Sequence, residues 1–182
     1  MPNLIGKDIR TNIVSKGTVF WLTGLSGSGK TAIGKALTEK LQNSDAVIFL
    51  DGDRLREVYG NMLGYSKAER RNASLYYARL CKMISVQGIN VVCATISMIH
   101  QTQEWNRNNI EKYLEIYVRV PIEELILRDN KQIYSRAKSG KLTNVVGMDI
   151  EAEEPQFPDL IIDNYGDMTV NKAVNRILET LY

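Results

Sequence analysis

Gly24-Leu25-Ser26-Gly27-Ser28-Gly29-Lys30-Thr31 follows directly on the apolar run Thr18–Thr23 and opens a stretch with helical patterning, Lys30 to Gln42. The spacing Gly-x-x-x-x-Gly-Lys-Thr between a strand and a helix is the Walker A form. Glycines let the backbone curl so that successive N–H groups face phosphate oxygens, and the helix that follows adds its positive N-terminal end. Lys30 is placed to reach β- and γ-phosphates and the Thr31 hydroxyl to ligate Mg²⁺. All eight residues, Gly24, Leu25, Ser26, Gly27, Ser28, Gly29, Lys30 and Thr31, are therefore candidate cofactor ligands, with ATP and Mg²⁺ as the cofactors. The competing reading is a Gly/Ser-rich turn without a ligand; the match of motif to context favours the loop.

Outward from this loop, short apolar runs alternate with longer mixed stretches. Strands are expected at Thr18–Thr23, Ala46–Asp51, Ile89–Ile96, Leu114–Val120 and Leu160–Asp163, and helices at Lys30–Gln42, Lys67–Gln87, Gln101–Lys112, Ile122–Arg128, Lys131–Ser139 and Val170–Leu181. The strands are rich in Val, Ile, Leu and Phe with little alternation, as strands covered on both faces are. Alternating elements predict an α/β fold of three layers, a five-stranded parallel sheet flanked by helices. Ligands of such sheets collect at the carboxyl ends of the strands, so the residues just after each strand carry the most interest.

The chain has 182 residues, 44% of them hydrophobic, which suits one well-buried domain over 1–182. A net charge of +2, from 23 Lys+Arg and 21 Asp+Glu, gives no support for a surface that coats a nucleic acid polymer. No run approaches the ~18 apolar residues of a membrane span, and residues 1–16, read as an N-terminal arm, lack a signal-peptide core. The expected location is the cytoplasm. Cys81 and Cys93 fall on a helix and a buried strand and read as core thiols. His100, the single histidine, reads as a surface or capping residue, although a ligand contact stays open; alone it cannot build a usual zinc site.

The second strand ends in Asp51-Gly52-Asp53, followed by Arg54 and Arg56. Two carboxylates at a strand end, across from a phosphate loop, can orient an acceptor hydroxyl or support Mg²⁺ through water. An Asx-turn capping the next helix is the alternative for Asp51. For Asp53 the catalytic reading leads. Arg56, one helical turn on, is placed to meet an acceptor phosphate or to lie solvated at the surface.

At this point the residues resemble a family. Phe20-Trp21-Leu22-Thr23 with the loop, Leu50-Asp51-Gly52-Asp53-x-x-Arg56, Leu63-Gly64-Tyr65-Ser66-x-x-Glu69-Arg70, Pro121-x-Glu123, Arg128-Asp129-x-Lys131-x-x-Tyr134 and Gly147-x-Asp149 are similar, in order, to the adenylylsulfate kinases. The resemblance spans roughly residues 17 to 165. It implies a P-loop kinase fold and transfer of phosphate from ATP to the ribose 3′-hydroxyl of a small nucleotide conjugate. It implies that Asp53 sits at the acceptor hydroxyl, that Arg56 and Arg70 grip the acceptor's charged part, and that Tyr65 stacks on its base. Arg128 and Lys131 inherit roles in a lid over ATP, within a lid and acceptor-side segment of about 128–150. Ser97, in the position of the family's Ser after the third strand, is carried over as a pocket and catalytic residue. A homodimer is also implied.

The departures from the family lie on the acceptor side. Ala73, Leu75 and Tyr76 stand where the family has an Asn and an Arg pair, and Asn72 is one residue early, about 100° away on a helix. Ser97-Met98-Ile99-His100 replaces Ser-Pro-Tyr-Arg. Val145 replaces a Phe that stacks on the acceptor adenine, a contact worth roughly 1–3 kcal/mol per base. A pyrimidine loses less than a purine from such a change. Two acceptors therefore stay open: cytidine diphosphoramidate, phosphorylated by a branch of the family that serves capsule decoration and slightly favoured here, and adenylylsulfate itself, in sulfate assimilation. A non-enzymatic, ATP-gated switch is the reading from another class; Asp53, Arg56, Arg70 and the lid residues favour transfer.

Overall fold

The computed structural model describes residues 15–129 and 131–181. The expected N-terminal arm lies outside the described residues except at its end, where Ser15 accepts a hydrogen bond from Lys112 and Lys16 pairs with Glu111.

Five parallel strands form one sheet: β1 (Val19–Thr23), β2 (Val47–Asp51), β3 (Asn90–Ala94), β4 (Tyr113–Arg119) and β5 (Leu160–Asp163), in the spatial order β2-β3-β1-β4-β5. The central strand β1 is buried along its whole length, and its alternate side chains feed two separate cores. Phe20 and Leu22 face α1 (Lys30–Leu41) and α7 (Val170–Glu179), packing with Ile33, Leu37, Val174 and Ile177. Val19 and Trp21 face the other way, toward Ala73, Tyr77, Ala78 and Cys81 of α3 (Lys67–Ser85). Each fully buried aliphatic side chain in these layers contributes about 1.5–3 kcal/mol of transfer free energy. Trp21 is fully buried, and Cys81 and Cys93 are free, buried thiols as expected.

α3 begins with a capping box: Ser66 accepts from the Glu69 N–H, and the Glu69 carboxylate accepts from the Ser66 N–H at 3.0 Å. This fixes where the helix starts, and so which of its faces lines the site. α4 (His100–Asn109), α5 (Ile122–Arg128) and α6 (Ile133–Lys138) complete the set.

One helix was not among those expected. α2 (Gly52–Tyr59) follows β2 without a linker, succeeded by a 3-10 turn at Gly60–Met62. Its sequence, Gly-Asp-Arg-Leu-Arg-Glu-Val-Tyr, buries only Leu55, so almost no apolar stripe announces it. β3 also ends two residues before the expected Ile96. The chain leaves the sheet there, and Ser97 takes a φ of 21°. α6 is shorter than the expected Lys131–Ser139 because Gln132, at φ 52°, cannot be helical.

Candidate active site

A cleft of about 520 Å³ opens at the carboxyl ends of the strands. Its walls come from the loop after β1, from α2, from α3, from the segment after β3, and from α5–α6 with the residues that follow. Among the residues singled out in the sequence, Ser26, Gly27, Gly29, Lys30, Thr31, Asp51, Asp53, Arg56, Arg70, Ser97, Arg128 and Lys131 all line it.

The phosphate loop is curled by three glycines with positive φ: Gly24 at 148°, Gly27 at 77° and Gly29 at 97°. Its carbonyls are held from outside. The Tyr134 hydroxyl donates to the Ser26 carbonyl at 2.8 Å, and the Asn164 side-chain amide donates to the Ser28 carbonyl at 2.7 Å. Burial pushes the Tyr134 phenol up to about 12, which keeps it a donor at neutral pH. Lys30 is buried and donates to the Leu25 carbonyl at 2.7 Å. Burial first, and then the neighbouring Lys131 charge, push its ammonium down to about 7.

Asp51 caps the helix after it, the structural reading left open for it, and also meets the phosphate loop. One carboxylate oxygen caps α2 by accepting from the Asp53 and Arg54 N–H groups, and the other accepts from the Thr31 hydroxyl at 2.7 Å. The hydroxyl and the two carboxylates of the Asp-Gly-Asp turn are hard oxygen donors, the class that suits Mg²⁺. No group of three or more His, Cys, Asp or Glu among the described residues could hold a metal ion alone. Asp53, on the first turn of α2, accepts from the Lys131 ammonium at 2.6 Å.

On the wall formed by α2 and α3, Arg56 donates to the Leu63 and Gly64 carbonyls, both at 2.9 Å, and its guanidinium lies 4.4 Å from the Tyr65 ring centre. Arg70 donates to the carbonyls of Tyr65 and Asn144 and lies 5.3 Å from the same ring. Burial and the nearby Arg56 charge lower its affinity for the proton. Both arginines thus reach the cleft while anchored to backbone. Ser97 is buried, and its hydroxyl shares a 2.9 Å hydrogen bond with that of Thr95.

One expected substrate contact, Val145, needs revision. Val145 is turned inward, into a small core with Val120, Leu125 and Tyr134, and Val146 lines the cleft in its stead. The cause is local: Asp149 accepts from the N–H groups of both Asn144 and Val145 at 2.6 Å, and Asn144 has a φ of 63°. Tyr65 is 55% exposed, its ring held by Arg56 and Arg70, both of which line the cleft. His100 caps nothing itself; it opens α4, where its backbone N–H donates to Glu153 and its ring meets the Glu154 carbonyl at 2.8 Å. Asn164 was missed in the sequence. It directly follows β5, the kind of position where the fold collects ligands, and that placement was the signal available.

A profile of the family described as adenylylsulphate kinase matches residues 16–163. The chain belongs to this family. The cytidine diphosphoramidate kinase of Campylobacter jejuni is 41% identical over 164 residues, covering 90% of this chain and 95% of that protein. A probable adenylyl-sulfate kinase of Archaeoglobus fulgidus is 36% identical over 146 residues, covering 80% and 94%. The solved structure of the Mycobacterium tuberculosis APS kinase CysC in complex with AMPPNP and APS superposes with a TM-score of 0.84 at 27% identity, covering 91% of this chain and 98% of that one. This member of the adenylylsulphate kinase family is thus a phosphotransferase with a hydroxyl acceptor, on the three-layer P-loop fold expected. No described helix is long and apolar enough to cross a membrane.

Proposed function

We propose that this enzyme transfers the terminal phosphoryl group of ATP, with Mg²⁺, to the ribose 3′-hydroxyl of cytidine diphosphoramidate. The observation that carries the choice of acceptor is the 41% identity to cytidine diphosphoramidate kinase across nearly the full length of both proteins. Two features of the acceptor wall agree with it. Ala73 lies in the cleft face of α3, where the resemblance placed a larger polar side chain, and Val146 offers no aromatic platform for a purine.

In this reading, the Thr31 hydroxyl and the Asp51 and Asp53 carboxylates would hold Mg²⁺, which would supply positive charge to the phosphates. The loop N–H groups and Lys30 bind the β- and γ-phosphates. Asp53 accepts the hydrogen of the attacking 3′-hydroxyl. Lys131 and Arg128 bring positive charge from the lid side, and closure there excludes water that would otherwise hydrolyse ATP. Arg56 and Arg70 orient the acceptor's pyrophosphate-like bridge, and the Ser97 hydroxyl lines the acceptor side.

Adenylylsulfate is the second reading, supported by the other relatives. Coupled assays of both acceptors under identical conditions discriminate. The proposal expects kcat/KM for cytidine diphosphoramidate to exceed that for adenylylsulfate by at least about tenfold; the reverse order overturns it. Homodimer formation remains part of the proposal, and light scattering on the eluting protein tests it.

A further inference from the structure

The phosphate loop owes its shape to more than its glycines. In a trans peptide, the C=O of one residue and the N–H of the next point in opposite directions. There is no cis peptide bond among the described residues. Whatever holds a loop carbonyl on one side therefore aims the following N–H to the other side.

Asn164 does this at Ser28. Its side-chain amide donates to the Ser28 carbonyl at 2.7 Å, so the Gly29 N–H points away from Asn164. Asn164 stands behind the loop and contributes nothing to the cleft wall, whereas Gly29 lines it. The N–H is thereby directed to the phosphate side. The amide occupies space that only glycine leaves: a Cβ built on Gly29 would lie 2.3 Å from the Asn164 nitrogen, and the φ of 97° there already disfavours any other residue.

Asn164 is itself well fixed. Its backbone N–H donates to the Arg119 carbonyl, and its carbonyl accepts from the Arg128 guanidinium at 3.0 Å. One residue at the end of β5 thus grips the phosphate loop with its side chain and the lid-side arginine with its backbone. Tyr134 makes the corresponding contact at Ser26, which turns the Gly27 N–H.

We propose that Asn164 is a positioning residue for nucleotide binding: it holds the Ser28–Gly29 peptide so that the Gly29 N–H meets a phosphate oxygen. The inference rests on reading Gly24–Thr31 as the nucleotide loop. A loop whose peptide is free to rotate must fix it on binding, and that ordering weakens affinity.

The test is titration of the full-length protein and its variants with a fluorescent ATP analogue, with thermal melts alongside. Asn164→Asp is nearly isosteric but cannot donate to the Ser28 carbonyl; Asn164→Ala removes the donor without adding charge. Both should weaken nucleotide binding by about tenfold, the loss typical of one aimed hydrogen bond to a charged group. Binding should not vanish, because Tyr134 still holds Ser26. KM for the acceptor should change less than about twofold, and the melting temperature should move little. If the native protein binds the analogue and both variants bind it equally well, the positioning role is wrong. If the variants melt earlier with unchanged nucleotide affinity, Asn164 only stabilises the fold and the proposal again fails. If the native protein itself does not bind the analogue, it is the nucleotide-loop reading that falls.

Discussion

The Lys131 ammonium, from the lid side of the cleft, donates to the Asp53 carboxylate on α2 at 2.6 Å, joining two walls that are 78 residues apart in the chain. Their side chains are 58% and 71% exposed, so water screens the pair and it adds little to stability. Its importance lies in position. Lys131 also lies close enough to Lys30 to depress its proton affinity, so the lid lysine, the loop lysine and the Asp53 carboxylate share one small volume. Charge brought together there matches the needs of phosphoryl transfer, where positioning and electrostatics supply most of the rate.

Asp53→Asn keeps size and shape while removing the negative charge and the proton acceptor. Acceptor phosphorylation should fall by about 10²–10⁴-fold, the range for loss of a general base. ATP binding should persist, because the loop is untouched. Lys131→Ala should lower kcat without lowering the melting temperature. A coupled assay with parallel nucleotide titrations checks both, and unchanged transfer in Asp53→Asn would remove that residue from the mechanism.

Lys30 carries a pH signature. With its ammonium pushed down to about 7, against a usual lysine value near 10.4, the folded protein without nucleotide binds fewer protons than the unfolded chain in between. Stability of the free protein should therefore rise as pH increases from about 7 towards 10. A bound triphosphate favours the ammonium and raises its pKa again. Nucleotide binding should then take up protons above neutrality, and affinity should weaken as pH rises past about 7. Calorimetry at pH 8 in two buffers of different ionisation enthalpy reads this directly; equal apparent enthalpies would contradict it.

Much of this arrangement was legible in the sequence, for identifiable reasons. The loop could be read because its geometry depends on glycines at fixed spacing, and the sheet because parallel strands buried on both faces leave dense Val/Ile/Leu runs such as Val91-Val92 and Ile161-Ile162. α2 stayed hidden because its one buried residue, Leu55, makes no periodic pattern. Val145 was misplaced for another reason. The family comparison fixes which position it occupies, but whether it faces cleft or core depends on the Asp149 hydrogen bonds that turn the backbone. Asn164 could only be found in three dimensions, since its partner Ser28 is 136 residues away.

Asp51 joins fold and site, and its removal should show in both. Asp51→Ala deletes the cap of α2, a loss of about 1–2 kcal/mol for an N-cap residue. It also frees the Thr31 hydroxyl from its 2.7 Å bond. Urea denaturation should show a lower midpoint with an unchanged slope, since the unfolded surface is the same. Asp51→Asn, which keeps a capping oxygen, should recover most of the stability but less of the Mg²⁺-dependent activity. Equal recovery of both would reduce Asp51 to a cap.

The two cysteines give a prediction about what the fold excludes. Cys81 on α3 and Cys93 on β3 are both fully buried, and no other residues of the chain are cysteines. The neighbouring Cys81 thiol and burial push the Cys93 thiol well above the usual range. Because both thiols are fully buried, both should resist an aromatic disulfide reagent in the native protein at neutral pH, and both should react at once in concentrated guanidinium. The same helix carries Arg70 and Ala73 on the cleft wall, so the reaction rate also reports on that wall. For a thiol to react, α3 must lift from β3 and open the acceptor side. A slow native rate that an acceptor slows further would show that the acceptor favours the closed α3–β3 contact. Fast labelling of the native protein, unaffected by any ligand, would mean that the α3–β3 contact is looser than its packing implies.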